Sequence, residues 1–351
     1  AARAATAVDF RGRTYGVVRD GGTINIGGTL DLNTGLTTAS DLFVVVREGA
    51  RLDASGTQAL LNVPGQGAVA VASNGGSISL ASNNGLYLDG SLVAKAGGVG
   101  AAGGSLNLVL ESPYYQKAGL TDRVLKVRDL VVSQVHQPTA LGDSLEYGHG
   151  RLGVDQVTAG GFDNLALLSN GLLSFDGDVS LDMGQSLRLY SRGYGLSENA
   201  AGNSRINLKA PHLLLAGYLA PPETGKDLYV RPVPVLPAPS QRATEAQFNA
   251  DGDLVEVRGN VIFGNRSSLY NADNSLASLE RRGFDHVNLT SQGDLRFLAG
   301  ASANDIITGV STQLLTQGDM TLRAAQVYPS SDVSARVIAG YLGESTTLNL
   351  G

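Results

Sequence analysis

A short strand opened by glycine recurs along this chain, and that repetition limits its possible folds more than any other feature. Gly22–Ile26 reads GTINI, Gly28–Leu32 GTLDL, Gly76–Leu80 GSISL, Gly104–Leu108 GSLNL, Gly177–Leu181 GDVSL, Gly293–Phe297 GDLRF and Gly318–Leu322 GDMTL. Side chains in a strand alternate between two faces, so Ile24/Ile26, Leu30/Leu32, Ile78/Leu80, Leu106/Leu108, Leu295/Phe297 and Met320/Leu322 are expected to face one core. The Thr, Ser, Asn and Asp between them are expected to face water.

A longer match supports true repetition: Gly161–Gly171 (GFDNLALLSNG) and Gly283–Gly293 (GFDHVNLTSQG) share Gly, Phe, Asp, Leu, Ser and Gly at equivalent places. The alternation puts Leu167 and Leu289 inward, with Ala166 and Asn288 toward water. Short strands punctuated by Gly, Asn and Asp could build a sandwich, a barrel or a β-solenoid. Near-identical strands favour the solenoid, because stacked coils leave open edges only at their two ends. At roughly 20 to 25 residues per coil the chain has room for on the order of a dozen coils, spanning about 60 Å.

The pattern divides the chain. Residues 1–111, 152–219 and 243–351 read as coils. Residues 112–151, with Pro113, Tyr114, Tyr115, Pro138 and the apolar run Leu125–Val132, read as an excursion contributing one strand. Residues 220–242 hold six of the eleven prolines and read as an extended loop outside the coils. Asn274–Gly283 (NSLASLERRG) has a capping residue, helix formers and a closing glycine, and predicts a short helix.

Composition narrows the function. The 351 residues are 42% hydrophobic, 17% charged and free of cysteine, enough to bury a core and incompatible with disulfides or thiolate metal sites. A net charge of −6 without a basic stripe argues against nucleic acid as a partner. No leader and no run of 18 apolar residues is visible, so no membrane span is expected. Because the pattern is already running at both ends, the chain reads as a fragment of something longer.

Asp176/Asp178 and Asp251/Asp253 each flank a glycine in DGD; such pairs could bind Ca²⁺ or act as acid and base, but Asp beside Gly is ordinary turn composition. His136, His149, His212 and His286 lack metal-ligand spacing and read as turn or surface positions. No Ser stands in a nucleophile elbow, and Gly97–Gly104 lacks the Lys and helix of a phosphate loop. No catalytic residue, cofactor or metal is therefore expected. Tyr114, Tyr115 and the cluster Arg188, Tyr190, Arg192, Tyr194 are the candidates for stacking on sugar rings, against the plainer reading of a solvated strand face. Asn265 (NRS) and Asn288 (NLT) match glycosylation sequons.

Val71–Glu111 (VASNGGSISLASNNGLYLDGSLVAKAGGVGAAGGSLNLVLE) resembles the downstream repeat region of the filamentous-haemagglutinin exoproteins of Gram-negative bacteria, as do Gly161–Ser191 and Gly318–Pro329. The resemblance implies a right-handed parallel β-helix in a non-enzymatic, secreted or cell-surface adhesin. It also implies export through an outer-membrane transporter, and a role in attachment, biofilm or cell contact. A glycan or protein receptor on a host cell or matrix would be its partner, and self-association along the rod is a further possibility. The family's N-terminal secretion domain is not recognisable here. The rival class is a carbohydrate-active β-helix, a lyase, hydrolase or tailspike, which needs a carboxylate cluster with a basic partner on neighbouring coils.

Overall fold

The computed structural model describes residues 1–112, 129–139, 144–217, 245–270, 276–281, 283–300, 312–340 and 347–351. It is nearly all β, with parallel sheets of many strands. The sheets form three stacks that the chain visits in turn. In the first, Thr23–Ile26, Ser77–Ser82, Gly104–Leu110, Phe162–Asp176, Ser186–Leu196, His212–Gly217, Leu254–Arg258, Asp294–Leu298 and Gln326–Pro329 pair in that order. The second runs Phe43–Val46, Gly85–Leu88, His149–Gly153 and Asp129–Ser133. It continues through the second halves of Phe162–Asp176 and Ser186–Leu196 into Asn260–Phe263, Thr312–Thr316 and Ala335–Ile338. The third stacks Val179–Asp182, Arg205–Lys209, Gln247–Gly252, His286–Ser291, Asp319–Arg323 and Leu348–Leu350, with Arg51–Asp53 and Ser91–Val93 as a separate parallel pair.

Register explains the core. Ile78, Leu106, Leu165, Leu187, Leu213, Val255 and Leu295 lie one above another, as do Leu80, Leu108, Leu167, Leu189, Leu215, Val257 and Phe297. The third stack supplies Val179, Ile206, Phe248, Val287 and Met320 to the same buried cluster. Phe248 packs on Phe263 and Phe284 with ring centroids 4.8 and 5.4 Å apart, so aromatic rings also stack inside.

One helix occurs among the described residues, Val154–Gly160, and it stands where a strand would. Its Gly160 carbonyl accepts from the Ala94 amide at 2.9 Å, just past the strand Ser91–Val93, and Val154 and Val157 turn into the core. Gly161 ends it with a φ of 68°, the left-handed cap that a β-carbon would strain. Asp155 in its first turn suits the positive end of the helix dipole.

Several expectations need correction. The predicted helix at 274–283 is absent: Leu276–Arg281 is a strand paired antiparallel with Asn265–Tyr270, because pairing with a neighbour outweighs weak helix propensity. Among its described residues the excursion 112–151 gives two strands rather than one, Asp129–Ser133 and the start of His149–Gly153, and the later strand slots between Gly85–Leu88 and the earlier one. Tyr114, Tyr115 and the whole proline segment 220–242 lie outside the described residues. The first stack has nine strands among the described residues, about 40 Å at the usual spacing, shorter than a dozen coils because hairpins and excursions consume chain.

GTLDL is not a core strand. Gly28–Ser40 folds back as an antiparallel arm: the Thr38 amide donates to the Thr29 carbonyl at 3.1 Å and Leu30 bridges Thr37. Leu30 and Leu32 pack with Ala81, Val109, Ala166, Leu168, Tyr190, Leu214 and Ala216 on the outer face of the first stack. Ala166 is therefore buried beneath the arm rather than facing water. Leu167 and Leu289 do both point inward, but they belong to different stacks, so their matched segments share an alternation and not a place in the fold. Asn288 joins an outward amide ladder, donating to Asn249 at 2.8 Å, while Asn249 donates to Asn207 at 2.9 Å.

We expect Leu167→Asp and Leu289→Asp each to cost several kcal/mol, since each buries a carboxylate without a partner. Asn288→Asp, on the half-buried outer face, should cost about 1 kcal/mol or less. Ala166→Asp should fall between them because the arm covers it. Chemical denaturation of the four variants checks this; equal losses for Asn288→Asp and Leu289→Asp would contradict the inward and outward assignment.

Candidate functional site

Outward positions of the first stack carry a chain of polar side chains that crosses six of its strands beside the arm. Asn164 donates to Gln185 at 3.0 Å, Ser186 to Asn164 at 2.6 Å and Arg188 to Ser186 at 2.8 Å. Arg188 Nη2 also lies 3.5 Å from His212 Nδ1, and His212 Nε2 lies 2.8 Å from Glu256 Oε2. The guanidinium can only donate, so Nδ1 accepts and the network places the His212 proton on Nε2, aimed at Glu256. Arg296 closes on the other carboxylate oxygen, and Tyr328, beside Arg296, donates to Asp294 at 2.9 Å.

Strand register makes this row. Once Leu213/Leu215, Val255/Val257 and Leu295/Phe297 are aligned inward, Leu214, Glu256, Arg296 and Tyr328 fall opposite one another on the outside. His212 sits one alternation earlier and reaches Glu256 diagonally.

The electrostatics follow from burial and partners. Burial works to raise the Glu256 carboxyl, but hydrogen bonds from His212 and Arg296 and the charge of Arg296 outweigh it and hold the pKa below the usual value. The carboxylate in turn raises Arg296. The bond to Asp294 raises the Tyr328 hydroxyl. Tyr190, under the arm, is pushed up to about 12 by burial, with Arg188 and Arg258 acting against the rise. Its hydroxyl donates to the Leu32 carbonyl at 2.9 Å, and Arg258 reaches the Asn33 carbonyl, so the tip of the arm is anchored beside the row.

The sugar-stacking expectation is corrected for two residues. Tyr190 and Tyr194 are buried, with 1% and 0% of their surface exposed, and offer no ring face to a ligand. Tyr194 lies in the core, its hydroxyl within hydrogen-bonding distance of the Leu189 and Ala216 carbonyls, and burial drives its pKa up. A strand whose outer face is covered by another part of the chain buries both alternations, which periodicity alone does not reveal. Arg188 belongs to the polar row, and Arg192 is half-buried where its strand passes from the first stack to the second. In the first DGD, Gly177 has a φ of 76°, Asp176 accepts from Ser197 at 2.6 Å and Asp178 from the Arg205 amide at 2.8 Å, all as a turn requires. In the second, Asp251 and Asp253 are exposed and Gly252 is not left-handed. His286 is exposed, 3.5 Å from Asp319.

His212, Glu256, Asp294, Arg296 and Tyr328 were not singled out as a site from the sequence. The signal lies in the outward slots of HLLL, LVEV, DLRF and QVY, but it can be read only when the strand order is known. The assembled row is a carboxylate held ionised between an imidazole and a guanidinium, with both its oxygens engaged. It braces neighbouring strands and presents the edges of Arg188, Arg296 and Tyr328 to a polar ligand.

Because the folded pKa of Glu256 lies below its unfolded value, the stabilisation it supplies is present above about pH 4.3 and disappears as pH falls through the folded pKa. Glu256→Gln should be less stable than the parent near neutral pH, and the gap should narrow toward pH 3. Denaturation midpoints against pH check this; a gap that widens in acid would contradict the ion-paired assignment. No family model matches this chain, and neither a curated protein nor a solved structure matches it.

Proposed function

We propose that this chain is a stretch of right-handed parallel β-helix forming an extended structural and adhesive rod, part of a secreted or cell-surface exoprotein of the filamentous-haemagglutinin type. The observation that carries the reading is the order of pairing: the chain passes from first to second to third stack and returns to pair in parallel with the strand it laid down before. Right-handed crossovers between parallel strands are the rule, which favours that hand. Such a rod gains length by repetition and displays long polar rows on its outside, suited to a receptor glycan or protein. Export through an outer-membrane transporter and self-association along the rod belong to the same reading and rest on the resemblance. Among the described residues no helix is long and apolar enough to cross a membrane.

Displayed on a non-adherent Gram-negative cell, the chain should raise attachment to glycan-coated surfaces above that of cells bearing the transporter alone. Attachment at the control level would count against adhesion.

One observation favours the rival, carbohydrate-active reading: Glu256 and Asp294 stand on adjacent strands with His212 and Arg296, the carboxylate and base arrangement such an enzyme requires. Against it, both Glu256 oxygens are already engaged. On the rod reading, neutral and acidic polysaccharides incubated with the chain should show no new reducing ends or unsaturated products. Cleavage abolished by Glu256→Gln would replace the rod with the enzyme.

A further inference from the structure

The one place where chain order and stacking order disagree holds a cavity. Asp129–Ser133 precedes His149–Gly153 in the chain, yet the later strand pairs with both Gly85–Leu88 and Asp129–Ser133 and so lies between them. The described residues around these strands, from Leu86 to Asp89, from His136 to Thr139 and from Ser144 to Arg151, border a cavity of about 410 Å³, within the usual range for small-ligand sites.

Chemistry-bearing side chains gather on its walls: Tyr87, Asp89, His136, Glu146, His149 and Arg151. Two of the four histidines of the chain meet here, although they are 13 positions apart in sequence. Buried Asp89 accepts from the Thr139 amide at 3.0 Å and lies 3.0 Å from His136 Nε2, while the His136 amide donates to Asp155 at 2.9 Å. These bonds fix one wall. Tyr87 forms another, its ring tilted against Phe43 at 6.3 Å and its hydroxyl donating to the Glu146 carbonyl at 3.0 Å. His149 Nε2 is 3.5 Å from the Glu146 carboxylate, and Arg151 borders the cavity as an exposed cation.

We infer that this cavity is a binding site for a neutral saccharide unit. The two carboxylates are set against one guanidinium and two imidazoles, so no strong single-sign field selects an ion such as phosphate. No group of three or more metal-ligating side chains occurs among the described residues. Carboxylate, guanidinium and imidazole groups around the aromatic ring of Tyr87 match a ring with hydroxyls at its rim and C–H groups on its faces. Asp89 and His136 hold the wall, and Glu146 and Arg151, both exposed, are the groups free to turn toward hydroxyls. The site is independent of the polar row and of the adhesive reading.

Titration calorimetry and amide-shift mapping with the methyl glycosides of glucose, galactose and N-acetylglucosamine test it, with galacturonate and inorganic phosphate as the charged alternatives. At least one neutral glycoside should bind in the millimolar range and shift amides of residues 85–89 and 144–151. Glu146→Ala and Arg151→Ala should each weaken it by about tenfold, while Asp251→Asn, at an exposed position of the third stack, leaves it unchanged. Both variant positions are exposed, and thermal unfolding verifies that the variants fold. The inference is overturned if no neutral glycoside binds, if binding survives both substitutions undiminished, or if galacturonate or phosphate binds more tightly than every neutral glycoside.

Discussion

The rest of the molecule depends on backbone pairing between parallel strands in register. A parallel ladder satisfies the amides and carbonyls of a strand only if a strand of similar length lies on each side, so one turn of chain dictates the next. Ile78, Leu106, Leu165 and Leu187 stack because their backbones are locked in register, and the apolar column follows from the ladder. The same lock operates on the outside, where Asn207, Asn249 and Asn288 form an amide ladder and Glu256 meets Arg296. Whatever one strand places outward acquires neighbours at fixed spacing, and a row of interacting groups arises from residues about 40 positions apart.

The arm shows how a stack acquires a second hydrophobic layer. Ala81, Val109, Leu168 and Leu214 point away from the core and would lie bare on the outer face, but Leu30 and Leu32 cover them. Gly27, with a φ of 76° and the Ala81 carbonyl only 2.1 Å from where a β-carbon would stand, lets the chain leave the first strand so close to its neighbour. The covering contact joins residues near position 30 to Tyr190 and Arg258, fastening strands laid down far apart in sequence. Tyr190 is in this sense part of a seal, and burial there raises its pKa.

How much of this was legible in the sequence depended on whether the information was local. Alternation within GSISL, GSLNL, GDLRF and GDMTL placed Ile78/Leu80, Leu106/Leu108, Leu295/Phe297 and Met320/Leu322 inward, and all eight are core residues. GTLDL obeys the same local rule but lies in the arm, because alternation says that one face is buried and not what covers it. NSLASLERRG carried helix signals that a neighbouring strand overrode. The true helix, VDQVTAG, is too short for its two inward valines to declare a period. Its position is fixed by neighbouring chain, the Gly160 carbonyl accepting from the Ala94 amide just past Ser91–Val93. Of the polar row, Arg188 was singled out from its own strand, whereas His212, Glu256 and Arg296 become meaningful only through strand order, which no single segment encodes.

Strict repetition also explains where a molecule of this kind can place a concave site. A stack of equal turns has flat or gently curved walls, and a pocket requires one turn to differ in length or order from its neighbours. The segment from Asp129 to Gly160 does so twice: it inserts an additional strand into the second stack and then supplies a helix in place of a strand in the third. The extra strand is compatible with the ladder because His149–Gly153 still pairs in parallel on both sides. Gln156, in the first turn of the helix, donates to the Leu88 carbonyl at 2.6 Å, and Asp155 accepts from His136, so the helix ties the residues after Asp129–Ser133 to the strand Gly85–Leu88. The irregular helix and the cavity beside it are therefore two consequences of one departure from the repeat.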